Sequence, residues 1–245
     1  MKRVKLTVAY DGTNYHGWQI QPKEISIEQV LNEKLSELTG EEITVIGASR
    51  TDAGVHAMGN VAVFDTESRI PAEKFSYALN QRLPEEIRIQ KSEDVAVDFH
   101  PRHCDCQKTY RYQILNSEFP NPIARLYAHH ICYELDLEAM NEAAKHLIGE
   151  HDFKSFCSTK TSVMETVRTI YDLKVIKQED MISIYVRGNG FLYNMVRIIA
   201  GTLIEVGLHR KTPDEVKNIL AGKDRQIAGP TAPAKGLALM KIEYL

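Results

Sequence analysis

The hydrophobic periodicity of this chain spells one order of elements twice, strand, helix, strand, strand, helix, strand, and no other feature narrows the possible folds as much. In the first pass Val4, Leu6, Val8 and Tyr10 alternate with Lys5, Thr7 and Ala9, the period of a half-buried strand, and Asp11-Gly12-Thr13-Asn14 ends it. Ser26 followed by Gln29 is a capping-box pattern, and Ile27, Val30, Leu31, Leu35 and Leu38 fall on one helical stripe that Gly40 stops. The apolar runs Ile43-Thr44-Val45-Ile46 and Asn60-Val61-Ala62-Val63-Phe64 predict two strands. Pro71 opens a second helix carrying Phe75 and Leu79, Pro84 closes it, and Ile87-Arg88-Ile89 begins a last strand.

The second pass starts with Tyr110, Tyr112 and Ile114 alternating in a strand. Asp136 can cap a helix bearing Leu137, Met140, Ala144 and Leu147, ended by Gly149, and strands follow at residues 167–176 and 182–186. The stretch from Phe191 to Val206 is apolar nearly all round and predicts a buried helix. Thr212-Pro213-Asp214-Glu215 combines an N-cap, a first-turn proline and a capping-box glutamate, which adds a short helix, and Leu237 to Tyr244 supplies the final strand. Each pass has the split βαβ order of a ferredoxin-like domain. The expected fold is therefore α+β, with two ferredoxin-like halves, residues 1–102 and 103–245, sharing a mixed, mostly antiparallel sheet. No Gly/Ser-rich linker separates the halves, and a central cleft between them would be a natural binding site.

Chemistry concentrates in the connection Ser49-Arg50-Thr51-Asp52-Ala53-Gly54-Val55-His56-Ala57. It joins the two middle strands of the first half, and connections between strands are where functional residues gather. Gly54 permits a positive φ just after Asp52, and Thr51 can bond the local backbone, so the loop can hold one carboxylate in a fixed pose. An Asx-type turn neutralised by Arg50 fits the same residues. In the second half Arg197 is the lone charge in the apolar run from Phe191 to Ile204, so it needs a partner: Asp52, or another carboxylate in a structural ion pair. Tyr110 either fills a half-buried strand face or offers a ring and a hydroxyl to a base. His56 reads as packing the loop. Arg187-Gly188-Asn189-Gly190-Phe191 fails the RNA-recognition pattern, which needs an aromatic where Asn189 stands.

Charge divides unevenly along the chain. Residues 1–100 hold 11 Lys/Arg against 16 Asp/Glu, or −5, and residues 101–245 hold 19 against 17, or +2, which makes the second half the expected nucleic-acid face. No run of apolar residues approaches the roughly 18 to 20 of a membrane span, and the opening residues run straight into a strand pattern, so the expected location is cytoplasmic and off the membrane. The four cysteines, 104, 106, 132 and 157, are expected to be reduced thiols. His100, His103, Cys104 and Cys106 form a nitrogen and sulfur cluster, but Cys-x-Cys lacks zinc-finger spacing and no second pair follows, so no metal is assigned.

Five stretches resemble, in order, the motifs of the TruA family of tRNA pseudouridine synthases: Tyr10-Asp11-Gly12-Thr13 with Tyr15-His16-Gly17-Trp18-Gln19; Arg50 to Ala57; Lys108-Thr109-Tyr110-Arg111-Tyr112; Phe191 to Arg197; and Ala232-Pro233-Ala234-Lys235-Gly236-Leu237. The resemblance implies a cofactor-free homodimer that isomerises uridine to pseudouridine at positions 38, 39 and 40 of the tRNA anticodon arm. It implies Asp52 as nucleophile, Arg50 helping to extrude the nucleotide, Tyr110 contacting the flipped base and Arg197 pairing with Asp52. Ser49 departs from the pattern, where the family more often has glycine. Two other classes stay open on the residues alone: a non-catalytic RNA-binding module on the same halves, and a zinc protein built on the 100–106 cluster.

Overall fold

Alternation along the first residues becomes strand β1 (Lys2–Tyr10), with Val4, Leu6, Val8 and Tyr10 buried and the residues between them partly exposed. Helix α1 (Ile27–Thr39) follows the predicted stripe, burying Ile27, Val30, Leu31 and Leu35. Ser26 accepts the Gln29 N–H, and Gly40 ends the helix at φ 74°, a left-handed cap that suits glycine. Only half of the capping box forms, because the Gln29 side chain bonds Glu33 instead. The described residues are 1–159 and 165–245 of a computed structural model. They make two compact units, Met1–Cys106 with Leu239–Leu245, and Gln107–Ala238.

The first unit continues with β2 (Ile46–Gly47), β3 (His56–Thr66), α2 (Phe75–Asn80) and β4 (Ile87–Val95). Its strands run in the order β4-β1-β3, antiparallel, with β2 also on β3, which is the ferredoxin-like arrangement. The second strand is shorter than its apolar run predicts. Residues 43 and 45 instead give their N–H groups to the Ser36 hydroxyl and the Asn32 amide oxygen of α1, so helix side chains replace a strand neighbour. Conversely β3 begins four residues early and takes in His56 and Ala57. Phe64 and Phe75 meet edge to face at 5.1 Å in the core.

The second unit contains β5 (Cys106–Asn116), β6 (His129–Ile131), α3 (Leu137–Lys145), β7 (Gly149–Asp152), β8 (Val167–Gln178), β9 (Met181–Gly188), α4 (Met195–Gly207) and α5 (Pro213–Gly222). Strands β5, β9, β8 and β7 lie side by side and antiparallel, and β6 runs parallel to β5. Both α3 and α5 start at the predicted caps, Asp136 and Thr212, the latter with a complete capping box. Helix α4 is buried as expected but starts four residues late, because Asn194 stands at φ 61° and no helix passes through a left-handed residue. The last strand, β10 (Leu237–Tyr244), matches its prediction, and from Leu239 onward it belongs to the first unit. The chain is thus α+β with mostly antiparallel strands. No helix of the described residues is long and apolar enough to cross a membrane.

Register in the first unit is pinned by charge as well as by burial. Arg3 and Asp65 stand opposite each other on β1 and β3, and the guanidinium grips the carboxylate with two bonds, 2.8 and 2.7 Å. The bonds to Arg3 hold Asp65 below the usual carboxylate range. A depressed carboxylate contributes stability that is present above the unfolded value, about 4, and lost as pH falls through the folded one. Asp65→Asn should therefore lower the urea midpoint at pH 7, and the gap from wild type should shrink below pH 4. A gap of constant size would show that the lost contribution is not the carboxylate's charge.

Candidate active site

The loop bearing Asp52 is held by the segment that follows β1. Gly12 and Gly17 let that segment come against the loop backbone: a Cβ on Gly12 would lie 2.0 Å from the Val55 carbonyl oxygen, and one on Gly17 would lie 2.5 Å from that of Thr51. Gly17 also has φ 83°, which a side chain would strain. The Trp18 N–H donates to the Thr51 carbonyl (3.0 Å), and the Gly54 N–H donates to the Tyr15 carbonyl (3.2 Å). Trp18 is buried as an aromatic core residue, and its indole fills the space a Cβ on Gly47 would need.

Side chains complete the clamp. Asn60, fully buried on β3, donates to the Ser49 carbonyl (3.0 Å) and to the Tyr10 hydroxyl (3.2 Å). The Tyr10 hydroxyl also shares a hydrogen bond with Thr51 Oγ1, 2.7 Å away. His56 is buried, accepts the Gly12 N–H at Nδ1 (3.1 Å) and lies 3.1 Å from Asp11 Oδ1, so it packs the loop as read from the sequence. Ser49 and Thr51 are therefore pinned on either side of Arg50, which is exposed, and Asp52 follows, partly exposed. The Asp52 carbonyl accepts the Val55 N–H (3.1 Å), closing the tight turn that Gly54 permits at φ 74°. The backbone on both sides of Arg50 and beyond Asp52 is fixed, and these two side chains project from it.

Tyr110 and Arg197 lie in the second unit. Tyr110 is buried on β5 opposite Val186 of β9, and the Phe191 ring meets it edge to face at 5.1 Å. Gly188 makes room for that ring, since a Cβ there would stand 3.2 Å from Phe191 and 2.7 Å from the Thr169 carbonyl oxygen. Arg197 sits on the first turn of α4, partly exposed. Its Nε donates to the Ala232 carbonyl (2.7 Å), a terminal nitrogen donates to Asn194 Oδ1 (2.8 Å), and its own carbonyl accepts the Ala232 N–H (3.1 Å). Next to Ala232, the Pro233 carbonyl accepts the Tyr112 hydroxyl (3.0 Å). Burial pushes Tyr112 far above the ordinary phenol value, against the opposing pull of Arg197, so it stays a neutral donor. Gly236 lies against the Tyr112 ring, where a Cβ would come within 2.6 Å. Three of the five motifs thus meet around Arg197, and the other two meet around Asp52.

Sequence reasoning missed the supporting residues. A buried amide in an apolar strand was a signal for Asn60, and an asparagine six residues after the glycine that ends β9 was a weaker one for Asn194. Among the described residues no group of three or more His, Cys, Asp or Glu side chains could hold a metal ion; His100 and His103 simply touch ring to ring.

The family model described as tRNA pseudouridine synthase matches residues 6–103 and 143–245. Three proteins called tRNA pseudouridine synthase A are similar over the full length of both chains: 51% identical over 244 residues in Thermoanaerobacter sp. (strain X514), 51% over 245 in Ruminiclostridium cellulolyticum and 49% over 244 in Brevibacillus brevis. With matches of that extent, the chain belongs to the tRNA pseudouridine synthases, a family of isomerases.

Proposed function

We propose that this enzyme isomerises uridine at positions 38, 39 and 40 of the tRNA anticodon arm, with Asp52 as the nucleophile and the target base flipped out of the stack. The observation that carries this reading is the clamped loop, from which Arg50 and Asp52 project while their neighbours are anchored. Isomerisation breaks the C1′–N1 bond and joins C1′ to C5, so the base must leave the stack, at a cost of a few kcal/mol. Arg50, exposed on a fixed backbone, is suited to take the place of the extruded nucleotide. Tyr110 presents a ring to the flipped base, and Arg197 pairs with Asp52 and keeps it ionised. Asparagine and backbone oxygens around Arg197 orient its guanidinium without neutralising it. A tRNA substrate goes with a cytoplasmic location.

The test follows hydrogen. In tRNA carrying tritium at uracil C5, the reaction releases that tritium to solvent, with no cofactor added. Release should occur with wild type and stop when uridines 38 to 40 are replaced by cytidine. Asp52→Asn keeps the shape and loses the charge, and should fall below a tenth of wild-type turnover while folding and binding tRNA. Arg197→Met should lose most activity per folded molecule. A tenth or more of turnover in Asp52→Asn rules out its role, and no release from any tRNA defeats the reading altogether.

The second half of the chain carries only +2, too little for a long basic track along tRNA. The enzyme therefore works as a homodimer, one protomer gripping the tRNA body while the other modifies it. Light scattering at micromolar concentration should give twice 27.8 kDa. A fully active monomer would contradict the shared grip.

A further inference from the structure

A depression of about 500 Å³ opens in the second unit beside the start of α4, lined by Ser158, Thr159, Tyr193, Asn194, Arg225 and Thr231, among others. Arg225 donates to the Gly229 carbonyl (2.9 Å) and to Thr231 Oγ1 (3.1 Å), which commits two of the five N–H groups of its guanidinium. No carboxylate of the described residues pairs with it. Burial pulls its pKa below the ordinary arginine value, the mark of a charge partly stripped of water. Tyr193 is 45% exposed. Asn194 connects the depression to Arg197: its amide nitrogen donates to Ser158 Oγ (2.9 Å) while its oxygen accepts from Arg197 (2.8 Å).

A lone guanidinium with donors to spare, an exposed phenol ring and several hydroxyls in a space of nucleotide size match the parts of one RNA residue. Guanidinium groups take phosphate oxygens, aromatic rings take bases, and hydroxyls bond the ribose. We propose that this depression holds a nucleotide flanking the modified uridine, its phosphate on Arg225 and its base against Tyr193. The inference rests on the reading of Arg197 as part of the catalytic site, because the shared Asn194 is what sets the depression one side chain away from it. It adds a contact that fixes the strand on one side of the target while Arg50 and Asp52 act on the target itself.

The test is tRNA binding by wild type, Arg225→Met, Arg225→Lys and Tyr193→Ala over a series of salt concentrations, with tritium release measured on the same proteins. Losing one phosphate contact should reduce the slope of log affinity against log salt by about 0.7 to 0.9 in Arg225→Met, and Arg225→Lys should restore most of it. Tyr193→Ala should weaken binding roughly fivefold or more with the slope unchanged. Both losses should appear chiefly in the half-saturating tRNA concentration, not in the rate at saturation. An unchanged salt slope in Arg225→Met, even with a lowered melting temperature, would mean that the guanidinium only braces the 225–231 turn, and the proposal would fall. Equal affinity in Tyr193→Ala would overturn the base contact. Failure of the catalytic reading is seen separately, as absence of tritium release in wild type.

Discussion

Everything around Asp52 depends on how closely one stretch of backbone can approach another. Segment 11–18 touches the 51–55 turn through carbonyl oxygens, and only residues without a Cβ fit at positions 12 and 17. Once they are in contact, two backbone hydrogen bonds, from Trp18 and Gly54, lock the turn. Two motifs some forty residues apart are therefore one structural object. The first supplies the floor, and the second carries Arg50 and Asp52. A carboxylate on such a turn has little freedom to reorient, which is how a site is positioned before substrate arrives.

The second unit repeats the device with different parts. Helix α4 meets the 229–232 segment at Gly201, where a Cβ would stand 1.8 Å from the Pro230 carbonyl oxygen, and at Gly229, within 2.6 Å of the Thr202 backbone. Thr202 seals the contact: its hydroxyl bonds the Ile198 carbonyl and accepts the Gly229 N–H. The same segment then presents the Ala232 and Pro233 carbonyls to Arg197 and Tyr112. Orphan oxygens at the end of a loop become the fixed partners of a charge and a phenol. Neutral acceptors on the backbone and on Asn194 fix the direction in which the guanidinium points.

Long periodic elements were legible in the sequence because burial dictates their pattern. β1, α1, α3, α5 and β10 follow it almost to the residue. β6 and β7 were not, since His129-His130-Ile131 and Gly149-Glu150-His151-Asp152 are too short and polar to show a period. Apolar character alone misplaced three boundaries: the N–H groups of Ile43 and Val45 bond helix side chains, β3 takes in His56 and Ala57 ahead of its apolar run, and Asn194 turns left-handed ahead of α4. Of the candidate site, the resemblance indicated Arg50, Asp52, Tyr110 and Arg197. The close approaches at Gly12, Gly17 and Gly201 leave no periodic trace, because a glycine's reason lies in the chain it touches.

Central to this account is that contact between the glycine-bearing segment and the loop positions Asp52. Gly17 and Gly40 make a controlled comparison, since their φ angles are 83° and 74°, yet a Cβ on Gly40 meets nothing within 4 Å. An alanine at either bears a similar left-handed strain, roughly 1 to 2 kcal/mol. Tritium release per folded molecule should fall at least about tenfold in Gly17→Ala, by analogy with the sensitivity of catalysis to ångström misplacement, and stay near wild type in Gly40→Ala. Equal activity in the two variants would contradict the account.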